Sequence, residues 1–419
     1  MSLEAALLVQ IAPYLSKFPN GKIGVAVSGG GDSMALLRLL HKWEQREIVV
    51  ASVDHGLRAT AADEAQSVAT LCATLGITHE VLEWRGWDKQ GNLQDAARQA
   101  RYGLLGDWAT ARGLAGVALG HTADDQAETF LMRLARGSGV DGLAAMQAQR
   151  QHNSLVWLRP MLGINRADLR LYLAEIGQSW IDDPSNDDSQ FTRIRLRKSA
   201  GMLADLGLGP DVLTATATQM ARARTALEYA TRQLAETVAM AGSIGMLSLR
   251  RHDYSAAPDE LRLRLLAGAI GWINGAPYRP RLDSLTALDT HICQPDAPGR
   301  CLGGVQTQAE GENVLLMREL AACATTVLAE GCEGMIWDRR WQLLGDLRAG
   351  DEIGPLGAAG LAGCSDWRES GWPRAALMAT PGQWRNGRLI AAPMVVLQPN
   401  LRCALVGSSK GFYEALITR

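Results

Sequence analysis

The sequence predicts an α/β protein: a parallel sheet wrapped by helices, then a helical segment and a small β-rich end. Three observations carry this. From residue 22 to about 180, short apolar runs alternate with longer helical patterns, the signature of strands joined by crossover helices. From Arg193 to Arg300 no comparable strand pattern recurs. Beyond about residue 325 the texture becomes rich in Trp, Gly and Pro. With 419 residues and 47% hydrophobic content the chain can bury more than one core,. The expected division is 1–195, 196–325 and 326–419.

Taken in order, Ile23 to Val27, Ile48 to Val53, Ile77 to Leu82 and Val117 to Leu119 read as strands. Helices near 33 to 43, 62 to 75 and 92 to 112 separate them. Ligands of such sheets bind beyond the carboxyl ends of strands, beside the switch point. Ser28, Asp54-His55 and Gly120-His121 stand at three such ends. In the middle segment, Leu213, Met220, Leu227 and Leu234 recur every seven residues, one stripe of a long helix expected to pack on Leu261 to Ile270,. Near the end, Asn386-Gly387 is a two-residue hairpin signal,. The tryptophans around it suit core packing, with base stacking as the alternative.

Ser28-Gly29-Gly30-Gly31-Asp32-Ser33 follows the first strand and opens a helix. Consecutive glycines bring backbone N–H groups against phosphate oxygens, and the helix dipole favours the same charge. No Gly-Lys-Ser or Gly-Lys-Thr closes the motif, and the spacing is not that of a dinucleotide fingerprint,. Asp32 would repel phosphate, so it implies a cation there, most simply magnesium.

His121 to Thr129 begins where a buried strand ends, with Thr122 as a helix N-cap,. At helical spacing His121, Asp125 and Glu128 share one side, and Ala127, Phe130, Leu131 and Leu134 lie opposite, free to hold the helix to the sheet,. Arg98 and Arg101 share a face of the preceding helix and could clamp an α-phosphate or leaving pyrophosphate,. Arg136-Gly137-Ser138-Gly139 reads either as an anion nest or as a helix stop,.

Net charge is −2, so polyanion contact must come from a local patch,. Arg193, Arg195, Arg197, Lys198, Arg222 and Arg224 concentrate such charge. Seven scattered cysteines with no C-x-x-C pair argue against zinc ribbons and iron–sulfur clusters,. An odd thiol count, no signal peptide and no apolar run of membrane-span length lead us to expect a cytoplasmic protein,.

The glycine loop resembles that of the N-type ATP pyrophosphatases, or PP-loop enzymes. The ordered set resembles tRNA(Ile)-lysidine synthetases. It comprises that loop, Val53-Asp54-His55-Gly56-Leu57-Arg58, Asn92-Leu93-Gln94 with Ala97-Arg98 and Arg101-Tyr102, His121 to Thr129, and Arg136 to Gly139. Arg159-Pro160, Asp183-Pro184-Ser185-Asn186, Tyr278-Arg279-Pro280-Arg281 and Arg318-Glu319 continue it. The match covers residues 22 to about 320 and is loose beyond.

The resemblance implies ATP and magnesium as cofactors, with free L-lysine and the minor tRNA(Ile) bearing a CAU anticodon as substrates. Lysine joins carbon 2 of the wobble cytidine through an adenylated intermediate. The loop from Ser28 to Ser33 would bind phosphates, Asp32 would support magnesium, and Val53 would lie along adenine. Arg101, His121, Asp125 and Arg193 would work near the reacting atoms, with Asp125 holding the lysine ammonium. The family usually follows the residue matching Arg193 with asparagine; here it is Ile194. Related thiolases typically rely on a cysteine pair or cluster, which this chain lacks. Small-molecule amidating synthetases lack appendages suited to a large substrate. A tRNA-binding protein without activity would not need Asp32 or the His121 to Glu128 set.

Overall fold

A computed structural model describes residues 1–56, 61–85, 87, 93–152, 155–181, 192–276, 278–329, 334–395, 401–406 and 409–417. Leu57, Arg58, Asn92 and the Asp183 to Asn186 turn therefore lie outside the described residues. The chain forms two compact units, Met1–Arg224 and Thr225–Arg419.

The first unit opens with helix α1 (Leu3–Ser16). Then β1 (Ile23–Ala26), α2 (Gly31–Trp43), β2 (Ile48–Asp54), α3 (Ala61–Leu75), β3 (Thr78–Glu83), α4 (Leu93–Ala111) and β4 (Gly116–Leu119) alternate. After α5 (Ala123–Leu134) and the short α6 (Val140–Leu143), β5 (Gln149–His152) and β6 (Leu155–Leu158) complete the sheet. The strand order is β3-β2-β1-β4-β6-β5, parallel throughout except at β5. Chain direction across the sheet reverses between β1 and β4, so the loops leaving these strands flank one crevice. β1, β4 and β6 are buried along their whole length, which explains their apolar sequence without alternation,. β5 and β6 were not among the strands expected.

Helices α7 (Arg166–Glu175), α8 (Thr192–Lys198), α9 (Ala200–Asp205) and α10 (Pro210–Val238) follow. The α2 face bearing Leu36, Leu37 and Leu40 packs in one cluster with Leu7 and Ile11 of α1 and Leu169 and Leu173 of α7. One expectation is corrected at α5. Ala127 and Phe130 pack against Leu213 and Ala217 of α10, with Leu131 and Leu143 alongside, whereas Leu134 is exposed. The heptad stripe of α10 consequently divides its work. Leu213 serves this core, while Leu234 packs in the second unit with Leu265, Leu266 and Ile270.

In the second unit a five-stranded antiparallel sheet runs through Ala239–Ala241, Leu247–Arg250, Asn313–Arg318, Val305–Glu310 and Cys301–Leu302. Helices Asp259–Asn274 and Leu282–Ile292 share its core. The stretch 196–325, expected to be helical, thus contributes all five of these strands: those of three and four residues are too short to show a period against their helical neighbours, but Val305–Glu310 and Asn313–Arg318, six residues each, were missed as well. Smaller four- and three-stranded sheets follow. Asn386 and Gly387 both take positive φ and close the expected hairpin between Pro381–Arg385 and Arg388–Ala391,. Trp337 and Trp341 are core residues.

Candidate functional site

The loop leaving β1 is held open by its own hydroxyls. Ser33 Oγ accepts from the Ser28 amide at 3.1 Å and donates to the Gly30 carbonyl at 2.9 Å; Ser28 Oγ lies 3.3 Å from it. Gly29 sits at φ +84°, where a side chain would be strained and would also meet Ile181,. Gly30 caps α2 without a side chain, leaving the first amides of that helix directed toward the crevice,. From the neighbouring strand, Gly120 packs so closely that a Cβ would lie 3.0 Å from Ser33 Cα and 3.1 Å from the Asp32 carbonyl carbon.

A cleft of about 1010 Å³ opens above these strand ends. Every expected site residue except Gly29 lines it, including Val53 at the end of β2. A smaller 190 Å³ recess lined by Arg98, Arg101, Tyr102 and His121 adjoins it.

Thr122 and Asp125 form a capping box at the start of α5,. Asp125 Oδ2 accepts from the Thr122 amide at 2.9 Å and from its hydroxyl at 3.1 Å. Asp125 Oδ1 faces Arg166 at 3.3 Å and Arg197 at 3.7 Å. Burial opposes the charge of Asp125, but Arg166, the Thr122 bonds and His121 outweigh it and lower its pKa. Asp124 differs: its Oδ2 caps α7 by accepting the Arg166 amide at 2.8 Å. Glu128 pairs with Arg197 Nε at 2.6 Å, and Arg193 approaches it at 3.9 Å. Burial raises the Glu128 pKa despite Arg197.

His121 is pushed down to about 3, by burial first and then by Arg159, Arg101 and Arg98, with Asp125 opposing. It is neutral at pH 7, and its buried Nδ1 has no hydrogen-bond partner. Arg101 itself has a lowered pKa through burial. Arg159 donates to the Gln147 carbonyl at 3.0 Å and to the Tyr102 hydroxyl at 3.3 Å.

Arg166 is the central residue that sequence reasoning missed. Its Nε donates to Asp32 Oδ2 at 2.9 Å, so one guanidinium faces Asp32, Asp124 and Asp125. Burial disfavours its charge, yet the carboxylates prevail and raise its pKa. The signal was present: an arginine in the first turn of a helix opposes the macrodipole unless carboxylates hold it. Asp32, by contrast, has a raised pKa, mainly from burial, although Arg166 opposes the shift.

The Arg136 to Gly139 segment resolves as a helix stop. Gly137 takes φ +67°, and the Gly137 and Ser138 amides return to the Leu134 and Arg133 carbonyls at 2.9 and 3.0 Å,.

Residues 3–202 match the PP-loop domain family. A tRNA(Ile)-lysidine synthase from Ruegeria pomeroyi is 42% identical over 419 residues, covering 98% of each chain. The chain belongs to the tRNA(Ile)-lysidine synthase family. Another such synthase, from Wolbachia pipientis wMel, is 34% identical over 84% of each chain. One from a Bradyrhizobium strain is 40% identical over 74% of this chain and 88% of its own. The PP-loop domain, which uses ATP, spans the parallel sheet, and the crevice between β1 and β4 lies within it. Among the described residues no helix is long and apolar enough to cross a membrane.

Proposed function

We propose that the protein ligates free L-lysine to carbon 2 of the wobble cytidine of tRNA(Ile) bearing a CAU anticodon, consuming ATP and releasing AMP and pyrophosphate. The observation that carries this reading is the convergence of the glycine loop, Arg101, His121, Asp125 and Arg193 on one cleft, in a chain 42% identical to a lysidine synthase along nearly its full length. The setting is the cytoplasm, where its cysteines stay reduced.

In the first step the cytidine 2-oxygen attacks the α-phosphorus, and the bond to the bridging oxygen of pyrophosphate breaks. The amides of Ser28 to Ser33 and the hydroxyls of Ser28 and Ser33 hold the departing phosphates. Arg101 and Arg98 balance charge developing on the α-phosphate. Val53 forms the wall for adenine. In the second step the lysine ε-amine attacks carbon 2, the carbon–oxygen bond breaks, and AMP leaves with the former cytidine oxygen. Asp125 holds the ammonium before attack. The attacking amine gives up its proton to His121 or to a carboxylate of the cleft. Arg193 holds substrate phosphate at the cleft rim.

Magnesium fits Asp32, a hard carboxylate beside the phosphate loop that already faces a cation. This ion takes one or two carboxylates plus phosphate oxygens rather than an all-protein cage. When bound it neutralises phosphate charge. Residues 196–325 and 326–419 are proposed to carry the tRNA contacts.

Incubation with ATP, magnesium, labelled lysine and a tRNA(Ile) transcript bearing wobble cytidine tests the reading. Lysine label should enter the RNA, and a transcript with wobble uridine should remain unlabelled. Equal labelling of both, or of neither, contradicts it.

A further inference from the structure

Asp32, Asp124 and Asp125 belong to α2 and α5, yet one side chain from α7 answers all three. Arg166 Nε lies 2.9 Å from Asp32 Oδ2, while its terminal nitrogens face Asp125 Oδ1 at 3.3 Å and Asp124 Oδ1 at 3.9 Å. Its side chain is 18% exposed, so solvent screens these charges weakly,. Its attachment is uneven. The backbone amide is fixed by Asp124 Oδ2 at 2.8 Å, and the Asp125 contact comes from a different nitrogen than the Asp32 contact. Re-aiming of the inner side-chain bonds can therefore withdraw Nε from Asp32 while the backbone amide keeps Asp124 and the α7 terminus in place.

We infer that Arg166 is a placeholder cation. It occupies Asp32 until a divalent ion arrives with the nucleotide, then cedes that carboxylate and stays with Asp124 and Asp125. This rests on the reading of Asp32 as the magnesium ligand. The logic is electrostatic. Three close carboxylates with no cation repel one another and the incoming triphosphate, whereas a guanidinium keeps the loop in its binding shape. The same guanidinium competes with metal, so metal binding without nucleotide is suppressed. Arg166 is a positioning residue: it acts through Asp32.

Manganese alone, which takes the same oxygen ligands, is the probe. Its binding to the nucleotide-free full-length protein is read by the loss of the free-ion EPR signal. Arg166→Gln should bind manganese about tenfold more tightly than wild type, and Asp32→Asn added to it should abolish the gain. Arg166→Lys, with the charge but no fork, should fall between the two. It keeps the test decisive if the glutamine variant fails to fold. Affinities of both variants equal to wild type would overturn the inference. The Asp32 reading would survive that result if Asp32→Asn alone still weakened manganese binding in the presence of ATP. A gain that persists after Asp32→Asn overturns both, because the exchange would not be at Asp32.

Discussion

Burial pushes both Asp32 and His121, at the two strand ends, toward their uncharged forms. Asp32→Ala should abolish formation of AMP and pyrophosphate while tRNA affinity, read by filter binding, changes less than about twofold, because the carboxylate faces the phosphate loop rather than a basic surface,. For His121, whose pKa falls from 6.5 to about 3, the folded state refuses a proton that the unfolded chain accepts. Stability is therefore complete above pH 6.5 and declines as pH falls toward 3, at about 1 kcal/mol per pH unit from this group. His121→Gln should flatten that decline in denaturant titrations at pH 4.5 and 6.5. An unchanged slope would mean that the imidazole is charged in the fold. The glycine run, Asp32 and the polar side of α5 were legible because each is a local pattern. Arg166 was not, since its partners lie 134, 42 and 41 positions away in sequence.

At the scale of elements, α5 is the piece that aims chemistry. Its N-cap, Thr122, could be read from sequence, as could its polar side of His121, Asp125 and Glu128. The partner of its apolar side could not. Ala127 and Phe130 meet α10, and no local period announces which distant helix will cover them. Likewise the first two strands of the middle segment, three and four residues long, carry too few side chains to display alternation,. Thr122→Ala removes one capping acceptor and one donor to Asp125 Oδ2, which costs about 1 kcal/mol in thermal denaturation,. It also leaves Asp125 Oδ2 held by the backbone amide alone, so KM for lysine should rise more than KM for ATP. Gly120→Ala should do the reverse. Its methyl would press on the backbone of Asp32 and Ser33 and weaken ATP binding about tenfold or more in a nucleotide titration,.

Across the whole molecule, a net charge of −2 leaves no general attraction for RNA. Affinity must come from confined basic groups, and some of those counted from sequence are already engaged: Arg197, with Arg193 nearby, attends Glu128. Arg222 is exposed on α10. Arg222→Ala should lower the slope of log affinity against log salt by about 0.7–0.9, one phosphate contact, without altering ATP binding. The parallel sheet and its phosphate loop fix where the triphosphate lies, and everything proposed depends on which phosphorus that placement exposes. The most direct test supplies ATP labelled at the α-phosphate together with tRNA(Ile) and magnesium, but no lysine. Label should accumulate on the RNA and be released as AMP once lysine is added. Recovery of the label as ADP with unlabelled RNA would contradict the proposed reaction.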